Sequence, residues 1–317
     1  MARVSPSPPP GLDATPSRVA PARSTIRLLL VSVRPEQWTK NLLVFAGVVF
    51  GGRLLEPRAV AIAVGTFAIF CALSAAVYLF NDVADRDADQ NHPLKRERPI
   101  ASGQLSATTA LLAGLVLGVA GVEAAFIIGT ELGLVAGAYL TLLLIYSAAL
   151  KHVVIVDVLV IAAGFVLRAI AGAVAVRVPI GHWLLVCTTL LALFLALSKR
   201  RHELTLLAEG ATDHRRILEE YSPYLLDQMI GVVTSSTLIA YTVYATSADT
   251  ATRLGTAKLG LTIPFVLYGI FRYLYLVHQK RGGGSPSAML LTDRPLVVCI
   301  ALWAAGVIAL LYSPLGK

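Results

Sequence analysis

Residues 58–89 read RAVAIAVGTFAIFCALSAAVYLFNDVADRDAD, an apolar stretch that ends in four aspartates. A bilayer core about 30 Å thick needs about 20 apolar residues per helix, so this stretch is long enough to cross it. Asp82, Asp85 and Asp89 are spaced by three and four residues. On a helix that continues from the apolar residues they would share one face. The stretch therefore predicts a membrane helix with a cluster of carboxylates at its end.

The composition of the whole chain supports the same interpretation. Of the 317 residues, 56% are hydrophobic and 15% are charged, and the mean hydropathy is +0.72. Average soluble domains are about 45–50% apolar and about 25% charged. These values exclude a soluble two-domain enzyme, a disulfide scaffold and an ordinary nucleic-acid-binding domain. The predicted fold class is an all-α polytopic membrane protein, and no nucleic acid is expected as a partner.

Nine apolar stretches are long enough to cross a bilayer, and the first is interrupted by Arg34, Pro35 and Lys40. The approximate ranges of the nine stretches are 26–52, 58–83, 106–129, 132–150, 154–176, 180–200, 227–247, 257–279 and 294–313. Residues 1–25 are rich in proline and predict a disordered cytoplasmic tail. Residues 26–317 then form one polytopic transmembrane catalytic domain.

The cationic residues are distributed unevenly between the two sides of these stretches. If the N-terminus is cytoplasmic, 20 of the 27 Lys and Arg residues fall on the cytoplasmic side and six on the other. Cytoplasmic loops of membrane proteins carry an excess of Lys and Arg. The sequence thus predicts a multi-pass protein of the bacterial plasma membrane, with a cytoplasmic N-terminus and an active site that faces the cytoplasm.

The aspartates are the strongest indication of chemistry. Like charges this close repel each other unless a cation joins them. Hard oxygen ligands suit Mg²⁺, which usually also binds substrate phosphates. Asp82, Asp85 and Asp89 are therefore predicted to be catalytic metal ligands for a Mg²⁺–diphosphate complex, and a solvated acidic helix end is the alternative. Lys95 and Arg98 follow closely and could hold phosphate oxygens or lipid headgroups.

Further candidates lie on other stretches. Arg168 stands inside the fifth stretch, and an intramembrane arginine is costly, so it is expected to hold an anionic group. The alternative is an internal salt bridge with Asp157, three helical turns earlier on the same face. Lys40, Asn41 and Lys151 could also reach the cytoplasmic mouth.

The motif NDxxDxxxD at residues 81–89, followed by HPxKRxRPIAxG, resembles the UbiA superfamily of intramembrane prenyltransferases, and most of all its polyprenyl-phosphate phosphoribosyltransferase branch. This resemblance implies a helical bundle with a central cavity open to the cytoplasm, and it implies roles in substrate binding for Asn81 and the positions below. Four further stretches support the branch: RPEQWTKN at 34–41, Tyr146 with LKH at 150–152, LRAIAG at 167–172, and Lys199 and Arg200 with Glu203.

One departure favours this branch over the aromatic prenyltransferases of the superfamily. Those enzymes have a second Asp-rich motif after the sixth helix, where this chain has the basic residues KRRHE at 199–203. A basic site suits additional phosphate groups, although anchoring at the cytoplasmic side would also explain it. The resemblance thus implies transfer of 5-phosphoribose from 5-phosphoribosyl 1-diphosphate to a polyprenyl phosphate lipid, for a cell-envelope arabinose donor or a related glycolipid.

Two other functions stay open from the sequence. The first is an aromatic-acid polyprenyltransferase, against which the missing second Asp motif counts. The second is a membrane transporter, which should show broken helices in two halves. The sequence also leaves open the lipid chain length, whether Glu203 or Asp157 joins the metal site, and whether the chain forms a homo-oligomer.

Overall fold

The structure, a computed structural model, describes residues 24–92, 95–208, 220–280 and 286–314, and every regular element in them is helical. The α-helices are α1 (Thr25–Ser32), α2 (Phe45–Phe50), α3 (Pro57–Ala84), α4 (Arg86–Asn91), α5 (Ala107–Ile128), α6 (Thr130–Ala148), α7 (Val156–Ala175), α8 (His182–Ala208), α9 (Pro223–Thr246), α10 (Ala248–Leu254), α11 (Ile263–Gln279), α12 (Pro286–Thr292) and α13 (Arg294–Tyr312). The all-α prediction is therefore confirmed. The predicted tail lies outside the described residues, except for its last two positions.

Eight helical segments of the described residues are long and apolar enough to cross a membrane. Each coincides with one of the predicted stretches from the second to the ninth, because a bilayer requires a minimum length of apolar sequence. The chain is therefore a multi-pass membrane protein. The segments are Pro57–Ala84, Ala107–Ile128, Thr130–Ala148, Val156–Ala175, His182–Thr205, Pro223–Thr246, Lys258–Gln279 and Arg294–Tyr312.

The first predicted stretch is built differently from these eight. It is divided into α1, a 3₁₀-helix over Pro35–Val44, and α2. The division begins where Arg34 takes a positive φ of 51° directly before Pro35, since a residue before proline is disfavoured in the α-helical conformation. The count of nine crossings remains a prediction.

This divided stretch packs very closely against α7. A Cβ atom added at Gly172 would lie 1.8 Å from the carbonyl oxygen of Val44, and one added at Gly47 would lie 2.4 Å from the backbone nitrogen of Ala173. Only glycine allows two backbones to approach so closely. The contact places Asn41 next to Arg168, whose Nε lies 2.7 Å from the Asn41 Oδ1.

Several helix ends meet at one end of the bundle and bring the charged residues together. Helix α3 ends at Ala84 and α7 begins at Val156, and the Lys151 Nζ lies 2.9 Å from the Asp85 Oδ1. Helices α8 and α9 meet at the same end through the Arg201–Asp227 ion pair. We call this region the charged end.

Candidate active site

Two of the three predicted metal ligands are joined by a single guanidinium. Asp82 and Asp89 are each only 3% exposed. The Arg98 Nη1 lies 3.2 Å from the Asp82 Oδ1 and 2.5 Å from the Asp89 Oδ2. Two buried carboxylates so close together require a positive charge between them. Arg98, which the sequence predicts to hold phosphate oxygens, thus pairs here with two of the predicted metal ligands.

Arg34 is a member of this site that the sequence reasoning left out of its substrate-binding residues. Its Nη2 forms an ion pair with the Asp82 Oδ1, and its guanidinium stacks 5.1 Å from the ring centre of Tyr78. The positive φ of Arg34 is uncommon for a residue other than glycine, and such conformations concentrate at functional sites. A charged residue next to proline within an apolar stretch was the available signal.

Asp85 differs from its two neighbours, and the prediction that one continuing helix carries all three aspartates is wrong. Helix α3 ends at Ala84, and Asp85 stands in the turn before α4, with its side chain 43% exposed. It pairs with Lys151 instead of Arg98. The turn separates a third negative charge from two that already lie close together, which lowers their repulsion. We call these three aspartates, with Arg34, Lys95, Arg98 and Lys151, the aspartate cluster.

The chemistry of this cluster fits a divalent cation held by two carboxylates. Within the part of the chain that the structure describes, no group of three or more His, Cys, Asp or Glu side chains is arranged to hold a metal. Mg²⁺, however, is often bound by one or two carboxylates together with substrate phosphates. Asp82 and Asp89 already share one cationic nitrogen, and Lys95 adds a looser contact, with its Nζ 3.8 Å from the Asp89 Oδ1.

Arg168 is the centre of a buried polar network that we call the Arg168 network. Its Nη2 lies 2.6 Å from the Tyr139 hydroxyl and its Nη1 lies 2.9 Å from the Gly164 carbonyl oxygen. The Ser74 hydroxyl lies 3.0 Å from that of Tyr139. All of these partners are neutral, so no carboxylate among them balances the charge of the guanidinium. The salt bridge with Asp157, which the sequence left open, is not formed, because Asp157 pairs with Arg200.

Lys40 lies outside the eight spans, and its amine is close enough to Lys199, Arg168 and Arg34 to be affected by their charges. Burial, together with the positive charges of Lys199, Arg168 and Arg34, lowers the pKa of Lys40 to about 7, against the opposing effect of Glu36. Its amine forms no ion pair with any residue of the described ranges. A cation in this situation gains strongly from an incoming phosphate.

Arg200 lies in a second charged group, which we call the Arg200 cluster. Its Nε lies 2.7 Å from the Asp157 Oδ2 and its Nη1 lies 2.6 Å from the Glu203 Oε2. Arg200 and Asp157 are 1% and 0% exposed. The Tyr221 hydroxyl donates to the Asp157 Oδ1 at 2.9 Å. The guanidinium that the sequence assigns to substrate binding is thus enclosed by carboxylates of its own chain.

The remaining predicted residues are distributed around these groups. The Tyr146 hydroxyl lies 3.4 Å from the Arg200 Nη2, and the Lys199 Nζ lies 3.7 Å from the Glu203 Oε1. Asn81 stands next to Asp82, and its carbonyl oxygen accepts from the Asp85 backbone nitrogen at 2.8 Å. Tyr139 and Tyr221 were missed, because nothing in the sequence distinguishes a tyrosine that meets a buried charge from one that packs in a core.

Comparison with known proteins gives a consistent result. The model of the UbiA prenyltransferase family matches residues 42–292. A curated decaprenyl-phosphate phosphoribosyltransferase from Mycolicibacterium smegmatis is 33% identical over 314 residues, which cover 95% of this chain and 97% of that protein. A protein of the same name from Mycobacterium tuberculosis is 33% identical over 292 residues, which cover 90% and 95% of the two chains.

The fold also has solved counterparts. The structure of a UbiA homologue from Archaeoglobus fulgidus bound to GPP and Mg²⁺ superposes with a TM-score of 0.67, covering 89% of this chain and 99% of that chain. The two sequences are 18% identical, so the likeness shows the fold. The helical arrangement around the charged end is therefore a known one.

Proposed function

The chain belongs to the UbiA prenyltransferase family, and we propose that it transfers 5-phosphoribose from 5-phosphoribosyl 1-diphosphate to a polyprenyl phosphate of the decaprenyl type. Diphosphate is released. Two curated relatives at 33% identity, each matched over at least 90% of this chain, have a name that describes this reaction. The enzyme is then a Mg²⁺-dependent phosphoribosyltransferase that acts at a membrane.

One observation carries the choice of phosphate-rich substrates. Four cations contact the three aspartates of the aspartate cluster, and Lys40 and Arg168 stand nearby without a carboxylate partner among the described residues. The charged end thus holds more positive charge than its own carboxylates neutralise. The two substrates together bring a 5-phosphate, a diphosphate and a lipid phosphate, which suit this surplus.

The chemistry at the acceptor needs little assistance. An oxygen of the lipid phosphate forms a bond to the anomeric carbon, and the bond from that carbon to the diphosphate oxygen breaks. Because the phosphate is already anionic at neutral pH, no residue has to remove a proton. The work of the protein is to align the two substrates and to keep water away from the anomeric carbon.

The difficult step is the departure of diphosphate, and the aspartate cluster is suited to it. Asp82 and Asp89, together with Asp85, would hold Mg²⁺, which supplies charge neutralisation at the leaving group. Arg34, Arg98 and Lys151 can exchange their carboxylate partners for diphosphate oxygens, since their side chains are 24%, 31% and 15% exposed. Lys40, Arg168, Lys199 and Tyr146 would bind the other phosphates.

We place the charged end in the cytoplasm of a bacterial cell, with the N-terminus on the same side. The excess of Lys and Arg at this end supports that orientation, and a multiply charged sugar diphosphate does not cross a bilayer unaided. An alkaline phosphatase fused to the C-terminus should be active outside the cell, and a fluorescent protein fused there should be dark. An inactive phosphatase fusion together with a fluorescent C-terminal fusion would refute the proposed orientation.

The reaction itself can be tested directly. Membranes that contain the protein receive 5-phosphoribosyl diphosphate labelled in the ribose, Mg²⁺ and decaprenyl phosphate. Labelled lipid is expected, and EDTA should abolish its formation. Membranes from cells without the protein are the control.

Two parallel arms test the alternative functions. In one, an aromatic acid and a prenyl diphosphate replace the substrates, and in the other, sealed vesicles are tested for uptake of labelled phosphoribosyl diphosphate without lipid acceptor. A prenylated acid or accumulated free label, together with no labelled lipid, would overturn the proposed reaction.

A further inference from the structure

The turn that leads into α7 has an unusual backbone. Ile155 has φ 67° and ψ −43°, and the Val156 backbone nitrogen donates to the Val154 carbonyl oxygen at 2.8 Å. These features define a γ-turn of positive φ, which is rare and strained. The strain is greater for isoleucine than for most residues, since its β-branched side chain disfavours positive φ. Such a turn persists only when its surroundings hold it.

Tyr221 is the side chain that holds this turn. The Ile155 backbone nitrogen donates to the Tyr221 hydroxyl at 2.7 Å, and the same hydroxyl donates to the Asp157 Oδ1 at 2.9 Å. Tyr221 is 4% exposed and lies just before α9. One hydroxyl therefore joins the strained residue to the first turn of α7.

The same turn carries Lys151 toward the aspartate cluster. The Val153 backbone nitrogen donates to the Leu150 carbonyl oxygen at 3.2 Å, and the Asp157 backbone nitrogen donates to the Val153 carbonyl oxygen at 3.0 Å. These hydrogen bonds connect the 3₁₀-helix over Leu150–His152 continuously to the start of α7. Lys151 in turn contacts Asp85 at 2.9 Å.

We propose that the Tyr221 hydroxyl is a positioning group for phosphoribosyl transfer, which holds the γ-turn at Ile155 and thereby keeps the Lys151 amine at Asp85. This inference rests on the proposed function. Tyr221 itself acts through Lys151 and does not touch the substrate. Its role is distinct from that of the fixed Arg200–Asp157 pair, although it contacts Asp157.

The first test removes only the hydroxyl. Tyr221→Phe should lower kcat for lipid labelling by about ten- to a hundredfold, the cost of misplacing a group by about 1 Å. Tyr241→Phe is the matched control, because the Tyr241 hydroxyl is also buried and bonded, to Thr262 at 2.7 Å and to Trp303 at 2.9 Å. This control should keep its activity.

The second test asks whether the loss of kcat in Tyr221→Phe arises from the strained turn at Ile155. Glycine adopts positive φ readily, so Ile155→Gly should make the turn stable without the hydroxyl. The double variant Tyr221→Phe with Ile155→Gly should therefore recover most of the lost kcat. A role of Tyr221 only as a partner of Asp157 predicts no recovery and would overturn the proposal.

The third test asks whether the effect passes through Lys151. If it does, Tyr221→Phe should cause little further loss in a protein that already carries Lys151→Ala. Full additivity of the two losses would contradict the proposal.

Thermal unfolding in detergent gives a readout that does not depend on the reaction. It compares the wild type, Tyr221→Phe, Ile155→Gly and the double variant. Tyr221→Phe should lower Tm, and Ile155→Gly should raise Tm more in that background than in the wild type. No labelled lipid from the wild type would overturn the proposed function. If Ile155→Gly changes Tm equally in the wild type and in Tyr221→Phe, the Tyr221 hydroxyl does not hold the turn, and the proposal is refuted.

Discussion

The aspartate cluster and the Arg200 cluster contain the same kinds of residues and lie at the same end of the bundle, but they differ in access. The cations of the aspartate cluster are between 15% and 39% exposed. In the Arg200 cluster the side chains of Arg200 and Asp157 are 2% and 0% exposed. An ion pair that water can reach exchanges its partners at low cost, whereas an enclosed pair does not. The first cluster suits ligand binding, and the second suits a fixed scaffold.

The comparison assigns different work to similar arginines. Arg98 contacts two carboxylates that are candidate metal ligands, and a bound metal ion could replace the guanidinium between them. Arg200 also contacts two carboxylates, Asp157 and Glu203, but serves to join α7 and α8. Variants of the two clusters should therefore change different properties of the protein.

The largest expected effect is on catalysis in the aspartate cluster. Asp82→Asn should reduce transfer by about a thousandfold, which corresponds to about 4 kcal/mol of leaving-group stabilisation. Asp85→Asn should cost less, because that carboxylate is more exposed and stands apart. The assay is lipid labelling at saturating Mg²⁺.

Two further measurements complete this test. Asp249→Asn is the control, since Asp249 pairs with Arg253 away from both clusters. Tm of Asp82→Asn should be unchanged, because the Arg34 and Arg98 side chains can reorient toward water when their carboxylate partner is removed. An unchanged Tm would show that the lost activity is a catalytic effect. Near-normal activity of Asp82→Asn would refute the metal assignment.

The next effect is on stability in the Arg200 cluster. Arg200→Leu leaves the carboxylate of Asp157 buried without a charge partner, which should cost about 3 kcal/mol. The expected readout is a lower Tm in detergent. Adding Asp157→Leu should restore most of it, because two apolar residues need no partner. If the double variant is no more stable than the single one, the pair is not the fixed scaffold described above.

A smaller effect is expected for the arginine that joins the two carboxylates. Arg98→Gln loses charge-assisted hydrogen bonds worth about 2 kcal/mol, so kcat/KM for phosphoribosyl diphosphate should fall about thirtyfold. Arg272→Gln is a matched control, because Arg272 is similarly exposed and pairs with Asp293. Equal losses in both variants would mean that Arg98 acts only through general folding.

The smallest effect concerns pH. With a pKa near 7, Lys40 of the free enzyme loses its proton as the pH rises, and phosphate binding then requires proton uptake. KM for one phosphate substrate should increase about fivefold between pH 7 and pH 8. Substrate phosphates, with a second pKa of about 6, are already fully charged in this window. Lys40→Arg, which stays charged, should show a flat profile, and a profile as steep as that of the wild type would exclude Lys40.

The sequence was sufficient for the membrane helices and for the aspartates, for different reasons. The apolar length that a bilayer requires determines a helix such as α3 locally, and carboxylates that lie within seven residues of each other favour a nearby cation. The pairings were not accessible in this way. Arg200 meets Asp157 across 43 residues and Arg168 meets Asn41 across 127, so the choice of partner depends on packing between helices.

The turn at Asp85 and the backbone at Arg34 could not be predicted either. Each is a local exception that the surrounding charges and Pro35 impose on an otherwise helical pattern. The sequence therefore predicts a site at the end of the second stretch, where the structure brings the aspartates and their cations together. It could not distinguish an arginine that water can reach, such as Arg98, from an enclosed one, such as Arg200.

The close contact between the first stretch and α7 has a consequence for biosynthesis. Asn41 is made long before its partner Arg168, which follows 127 residues later. At about 5–20 residues per second, the ribosome needs roughly 6–25 seconds to reach that partner. During this time the divided first stretch lacks both Gly172 of α7, against which it packs, and the Arg168 network, which binds Asn41. The divided first stretch can therefore reach its final packing only after the fifth predicted stretch has been made.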